Sequence, residues 1–349
     1  MTEGPATQQH PLDPDADPTA LTYTFGGVAP VASVRPGTVL QTWTLDCFAG
    51  RVRSTRDMSS QVCDPRYLNP QTGPFYIEGA EPGDTLAVHF VSIEPRFEWG
   101  VSTTVPFFGA LTSTPTTATL QPALPELTWI YDLDPVTRSV HYQARESDLR
   151  VTLPMDPMHG TVGVAPNLGE VRSSLAPGDW GGNMDTPEMR AGTTCYLGVN
   201  VEGALFSFGD GHARQGEGEP CGVAVECAMD SVVIVDLVKG VSTPWPRLEN
   251  DAYVMTTGST KPLEDAFRIA HTQMVHWVGE LLGLSTMDAY QLVAQTALTP
   301  VANVCDTVYT MVCKVAKDHL PGADPMRGTH ARLRTTAAAW RAAQEPGNR

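Results

Sequence analysis

Glycine and proline interrupt the chain from Leu21 to about Gly240 so regularly that no long helix can run through it. The 349 residues hold 31 glycines and 29 prolines, and only 18% are charged. That balance predicts a mainly β architecture of short strands joined by turns. Thr85 to Val91 alternates in polarity and follows the turn Glu81-Pro82-Gly83-Asp84, so it is predicted to be a strand. Cys195 to Phe208 is apolar apart from Glu202-Gly203, which predicts a hairpin, and Cys221 to Val238 is a further β-rich run. Residues 109–150 are rich in Thr and Pro and read as an excursion able to cover a site.

The periodicity changes after Lys261. Ala266, Ile269, Ala270, Met274, Trp277 and Leu281 fall at helical spacing over 262–282, with Gly283 as a stop. Ser285-Thr286-Met287-Asp288 resembles a capping box that opens a helix to about Ala297. Residues 303–319 fit either a strand or a helix. These features divide the chain into a disordered tail (1–20), a β-rich core carrying the site (21–240), an α+β part of the same unit (241–321) and a polar, frayed tail (322–349).

The net charge is −16, from 39 acids against 23 Lys and Arg. Such a surface repels phosphate backbones, so nucleic acid is excluded as the expected partner. No stretch reaches the ~18 apolar residues of a membrane span, so no membrane association is expected. The first residues carry neither a basic region nor an apolar stretch, and the seven cysteines form no CxxC motif. Free thiols and a cytoplasmic location are the expectation.

Several chemistries lack their motifs. There is no G-x-S-x-G elbow, no HExxH, no GxxxxGK[ST] and no GxGxxG after a strand. The lysines number four (Lys239, Lys261, Lys314 and Lys317), which disfavours Ser–Ser–Lys and Cys–Glu–Lys catalysis. Metal-assisted or carboxylate-based chemistry is left as the main enzymatic option.

Three Gly-rich segments concentrate polar groups: Thr44 to Gly50, Pro177 to Asp185, and Phe208 to Glu219. Residues two apart in an extended chain face the same way, so Asp210 should point with His212, Glu217 with Glu219, and Asn183 with Asp185. Glu226 lies in the apolar run Gly222 to Met229, where a carboxylate is costly unless paired or bound to a cation. Asp, Glu and His together suit a divalent cation, which acidifies water and polarises a carbonyl. The same segments also read as plain turns. Glu226 also reads as a buried ion-pair partner, and Cys47, Cys221 and Cys227 as inert thiols. The role of His159 is left open.

The order of these blocks resembles the acetamidase/formamidase family. Gly73-Pro74 through Ile77-Glu78-Gly79-Ala80-Glu81-Pro82-Gly83-Asp84-Thr85-Leu86 is similar to that family's GPxxVEGAEPGDxL block, and Gly160 to Pro166 to its GxxGxAP turn. Gly181-Gly182-Asn183-Met184-Asp185 resembles GGNxD. Gly209 to Glu219 with Glu226 resembles GDxHxxQGDGE…E, and Ser285 to Leu292 the S…DAYxL helix.

The resemblance implies a β-sandwich or jelly-roll-like fold with an α+β C-terminal part, in a homo-oligomer. It implies hydrolysis of a short linear amide such as formamide or acetamide. Carried over position by position, it implies Asp46, Asp185 and His212 as metal ligands and Glu219 and Glu226 as acid/base residues. Asn183, Asp210 and Gln215 would orient substrate, water or ligands. The cation implied is zinc, with calcium or magnesium as alternatives. Glu217, Arg214 and the stretch Thr296 to Asp306 depart from the family wording and point to a larger or decorated amide. Two other readings stand beside this one: a cysteine-nucleophile amidase using Cys47 or Cys227, and a silent small-molecule or metal-binding protein on the same scaffold.

Overall fold

The computed structural model describes residues 5–10, 21–112 and 123–344. Among them the chain is mainly β, with its long helices after residue 262, as the Gly/Pro punctuation and the change of period predict.

One nine-stranded sheet runs from edge to edge through Thr7–His10, Thr38–Thr44, Met229–Val238, Thr85–Pro95, Thr194–Gly198, Arg247–Glu249, Tyr253–Thr260, Tyr309–Ala316 and Val301–Asn303. A ten-stranded sheet runs through Arg150–Pro154, Ser139–Gln143, Leu127–Asp134, Trp99–Thr104, Val225–Glu226, Phe206–Arg214, Met158–Gly163 and Gly181–Asn183. Gln71–Ile77 pairs with Phe206–Arg214 and carries Ala32–Val34 beyond it.

The first sheet is buried on both faces, which explains its nearly unbroken apolar strands. Leu86, Val88 and Phe90 enter a core shared with Val162, Phe206 and Phe208 of the second sheet. Ala87 and Val91 of the same strand face the opposite way, towards Met274 and Val278 of helix Leu263–Leu282. That helix stops at Gly283, left-handed with φ 63°, and the next one, Thr286–Thr296, is capped by the Ser285 hydroxyl, which accepts the Asp288 N–H. Both ends match the sequence reading.

Several expectations need correction, and the open reading of residues 303–319 is resolved as a strand. Cys195 to Phe208 is no hairpin: Thr194–Gly198 belongs to the first sheet and Phe206–Arg214 to the second, so Glu202-Gly203 turns the chain between sheets. Residues 303–319 contain strand Tyr309–Ala316, antiparallel to Tyr253–Thr260, so the C-terminal part extends the first sheet. The polar tail is not frayed over its described length. Helix Thr329–Gln344 buries Leu333, Ala337 and Trp340 against the first sheet's outer core. Within the N-terminal tail, Thr7–His10 pairs in parallel with Val39–Thr42, while residues 1–4 and 11–20 lie outside the described set. In the 109–150 excursion, residues 113–122 lie outside it too, and the remainder contributes strands Leu127–Asp134 and Ser139–Gln143 to the second sheet.

Candidate active site

The site lies on the second sheet around its interior strand Phe206–Arg214, which pairs with Met158–Gly163 and Val225–Glu226, and three sequence segments converge there. Strand Phe206–Arg214 supplies Asp210 and His212, and the register opposes His212 to Glu226. The turn after that strand supplies Glu219, and the loop after Gly181–Asn183 supplies Asp185, whose N–H donates to the Gly160 carbonyl at 3.0 Å. Gly160 has to be glycine for a steric reason. A Cβ there would fall 2.5 Å from Asp210 Oδ2 and closer still to Asp185 Oδ1.

Asp185, Asp210 and Glu219 take φ of 45°, 60° and 46°, a region that side chains bearing Cβ avoid. Such strain costs about 1–3 kcal/mol per residue and persists where the surroundings over-determine it, often at functional sites.

His212 Nε2 lies 3.2 Å from Glu226 Oε2 and 3.5 Å from Asp210 Oδ1. Its Nδ1 is 2.9 Å from Gln215 Oε1, while the Gln215 amide nitrogen donates to the carbonyls of Asp185 and Ala302. Burial pulls the imidazole pKa down, but Glu226 and Asp210 outweigh it and hold the pKa well above the usual value. Burial likewise pushes the Asp185 and Glu219 carboxyls far up, with neighbouring acids adding to both. Asp210 also feels burial, yet its contacts with His212 and Thr161 bring it below the usual range. Burial raises Glu226 to about 7.

The predicted set is therefore largely assembled, with particular exceptions. Asp46 is buried, but its Oδ1 accepts the N–H groups of Phe48 and Gly50, so it braces its own loop. Ligating atoms of Asp185, His212 and Glu219 lie within 4.8 Å of one another, as do those of Cys47, Asp210 and Glu226; Asp46 belongs to no such group among the described residues. Asn183 spends its amide on Asn69 and Asp306 and so positions its neighbours. Glu217 does not share a face with Glu219: it is exposed while Glu219 is buried, because the chain turns at Gly218. Arg214 donates to the Pro154 carbonyl and does not line the cavity.

Two residues escaped the sequence reading. Asn303 donates to Asp185 Oδ2 at 2.6 Å and also to Asp306. Asp306, buried and raised to about 6 by desolvation, accepts from Asn183 at 2.8 Å. Their signal was an acid and an amide in the apolar stretch Val301 to Asp306, the same criterion that singled out Glu226.

His159 is settled as structural. Its Nδ1 donates to the Gly209 carbonyl and its Nε2 accepts from the Ser231 hydroxyl, in a pocket beside Phe90 and Phe208. Cys47 lines the cavity, but burial and the nearby carboxylates push its pKa well up. Burial does the same to Cys227. Both are held as thiols, which are poor nucleophiles.

The cavity above this cluster has a volume of ≈ 390 Å³. Among the described residues the buried Asp185 Oδ1 has no hydrogen-bond partner, and Glu226 Oε2 has only His212 Nε2 beside it, at 3.2 Å. A buried carboxylate oxygen without a partner, among further carboxylates and an imidazole nitrogen, fits a divalent cation, since such an atom is otherwise costly to bury.

The profile of the acetamidase/formamidase family matches residues 25–173 and 169–293. The chain belongs to this family. An acetamidase of Mycolicibacterium smegmatis is 27% identical over 288 residues, covering 66% of this chain and 68% of that one. The crystal structure of an acetamidase from Yersinia enterocolitica superposes with a TM-score of 0.84 at 37% identity, covering 91% of this chain and 94% of its own. An acetamidase from Bacillus halodurans gives 0.76 at 30% identity, covering 86% and 96%. The chain is a hydrolase of carbon–nitrogen bonds in linear amides.

Proposed function

We propose that this hydrolase cleaves small uncharged carboxamides at the floor of the cavity, with Glu226 handling the proton and a divalent cation held by Asp185, His212 and Glu219. The unpartnered, buried Asp185 Oδ1 beside His212 and Glu219, with ligating atoms of the three within 4.8 Å of one another, carries this reading. The mixed nitrogen and oxygen donors suit zinc, and the excess of carboxylates also suits calcium or magnesium. Such a cation would acidify water and polarise the amide carbonyl.

The chain's own residues account for the remainder. Gln215 fixes the His212 ring, and Asn303 fixes Asp185. Water adds to the carbonyl carbon, the C–N bond breaks, and a carboxylate and ammonia leave. Glu226, a buried carboxyl beside His212 in the cavity lining, is placed to take a proton from water and pass it to the departing nitrogen. A family acetamidase from Yersinia enterocolitica, similar over most of its length, supports the same reaction class.

The test is ammonia release from formamide, acetamide and longer amides, before and after chelation, alongside elemental analysis of protein purified without added metal. Expected are turnover, bound divalent metal, loss on chelation and recovery on restoring the metal. Absence of turnover on every amide with metal present removes the reading.

A further inference from the structure

The cavity is larger than a two-carbon amide requires. Acetamide has four heavy atoms and at liquid-like packing occupies about 120 Å³, taking ~30 Å³ for each water-sized group. The cavity offers ≈ 390 Å³. Its two ends differ chemically. The acids and His212 form a buried floor, whereas Phe48, Cys63, Leu68, Val105, Phe108 and Leu175 make apolar walls. Val105 and Phe108, like Leu68 and Leu175, are only partly buried, whereas Phe48 and Cys63 are buried.

The Phe108 ring is seated by design of the backbone. A Cβ on Gly222, at φ +87°, would meet that ring at 2.5 Å, and Ala110 N–H donates to the Pro220 carbonyl at 2.8 Å. The apolar rim is thus fastened to the same turn that presents Glu219. No lysine or arginine is among the described residues lining the cavity, while five carboxyls are. An anionic substrate would meet like charge with no counter-ion. Carboxylates accept from N–H, so an unsubstituted amide nitrogen belongs at the floor and the acyl group at the apolar walls.

We propose that the preferred substrate is an uncharged primary amide whose acyl part is an unbranched or cyclic hydrocarbon group larger than acetyl, with Val105 and Phe108 setting its length limit. This rests on the amidase reading above.

The experiment measures kcat/KM by ammonia release from the metal-loaded protein on acetamide, butyramide, hexanamide and succinamate, the last being butyramide-like with a carboxylate. Burial of each methylene favours binding by about fourfold, so hexanamide should exceed acetamide by at least about tenfold. Succinamate should fall well below butyramide. Val105→Phe should shrink the hexanamide-to-acetamide ratio by about tenfold, and Phe108→Ala should move the optimum towards longer amides. Acetamide turned over as well as hexanamide, or a ratio unmoved by both variants, overturns the proposal while leaving the amidase reading standing. No ammonia from any of the amides overturns the amidase reading and this inference with it.

Discussion

Gln215 Oε1 sits 2.9 Å from His212 Nδ1, and because the Gln215 amide nitrogen is committed to the carbonyls of Asp185 and Ala302, the oxygen can face only the ring. Nδ1 is therefore the donor, and Nε2 is presented to Asp210 and Glu226. A single side chain thus sets the angle of the imidazole and keeps the proton on Nδ1 when Nε2 gives up its own. Gln215→Leu should lower metal affinity and kcat by about 10- to 100-fold, the usual cost of losing such a support. Gln215→Glu keeps an acceptor at Nδ1 and should recover part of both. Equal losses in the two variants would show that the contact does not orient the ring.

Asp185 is the clearest case of function opposed to stability. Its carboxyl is buried beside Glu219, Asp306 and Asp210, which repel its charge. In Asp185→Asn the oxygen can still accept from Asn303, and the new NH₂ takes the place of the orphaned Oδ1 among carboxylates. The metal-free variant should be more stable than the metal-free parent by about 1–2 kcal/mol in urea unfolding, while losing bound metal and activity. Unchanged metal content would remove Asp185 from the ligand set.

The sequence pattern carried the fold class and several of the residues that the structure brings together, for identifiable reasons. Asp210 and His212 could be paired because a strand has a period of two, and Glu226 stood out as a charge in an apolar run. Glu217 and Glu219 could not be separated, because the turn at Gly218 breaks that period. Asp46 looked like a ligand by position, but its Oδ1 is tied to two N–H groups only two and four residues ahead, a local turn invisible without coordinates. Asn303 and Asp306 reach the site from more than 110 residues beyond Asp185, through the strand-edge position of Val301–Asn303, and no local pattern encodes that approach. The C-terminal helix was missed because its exposed face is polar and Ala/Arg-rich, so three buried apolar positions, Leu333, Ala337 and Trp340, had to carry its period.

Gly160 gives a purely steric test of the cluster. A Cβ would lie 2.5 Å from Asp210 Oδ2 and 3.0 Å from His212 Cε1, side-chain atoms that would have to move to admit it. Gly160→Ala should fold, since the residue sits in a regular strand with an ordinary φ, but the carboxylates must shift. Displacement of reacting groups by about 1 Å costs on the order of 100-fold, so kcat should fall by at least that much. Circular dichroism matching the parent, together with parental activity, would show that the cluster tolerates the shift.

His159 links the fold to pH independently of catalysis. Its pKa falls from 6.5 to about 4 because burial disfavours the imidazolium, despite the Gly209 carbonyl. The unfolded chain takes up this proton near the ordinary value, whereas the folded chain resists until about 4. The unfolded state therefore binds more protons in between, and stability rises with pH across that window. The contribution is complete above 6.5 and is lost as pH falls through about 4, to a total of about 3 kcal/mol at 1.36 kcal/mol per unit. His159→Gln can still engage Ser231 and the Gly209 carbonyl but cannot titrate. Its urea-unfolding free energy should show a shallower decline than the parent between pH 6.5 and 4, even if it is lower at neutral pH. Parallel declines in the two proteins would mean that the buried imidazole is already protonated, or free to become so, in the folded state.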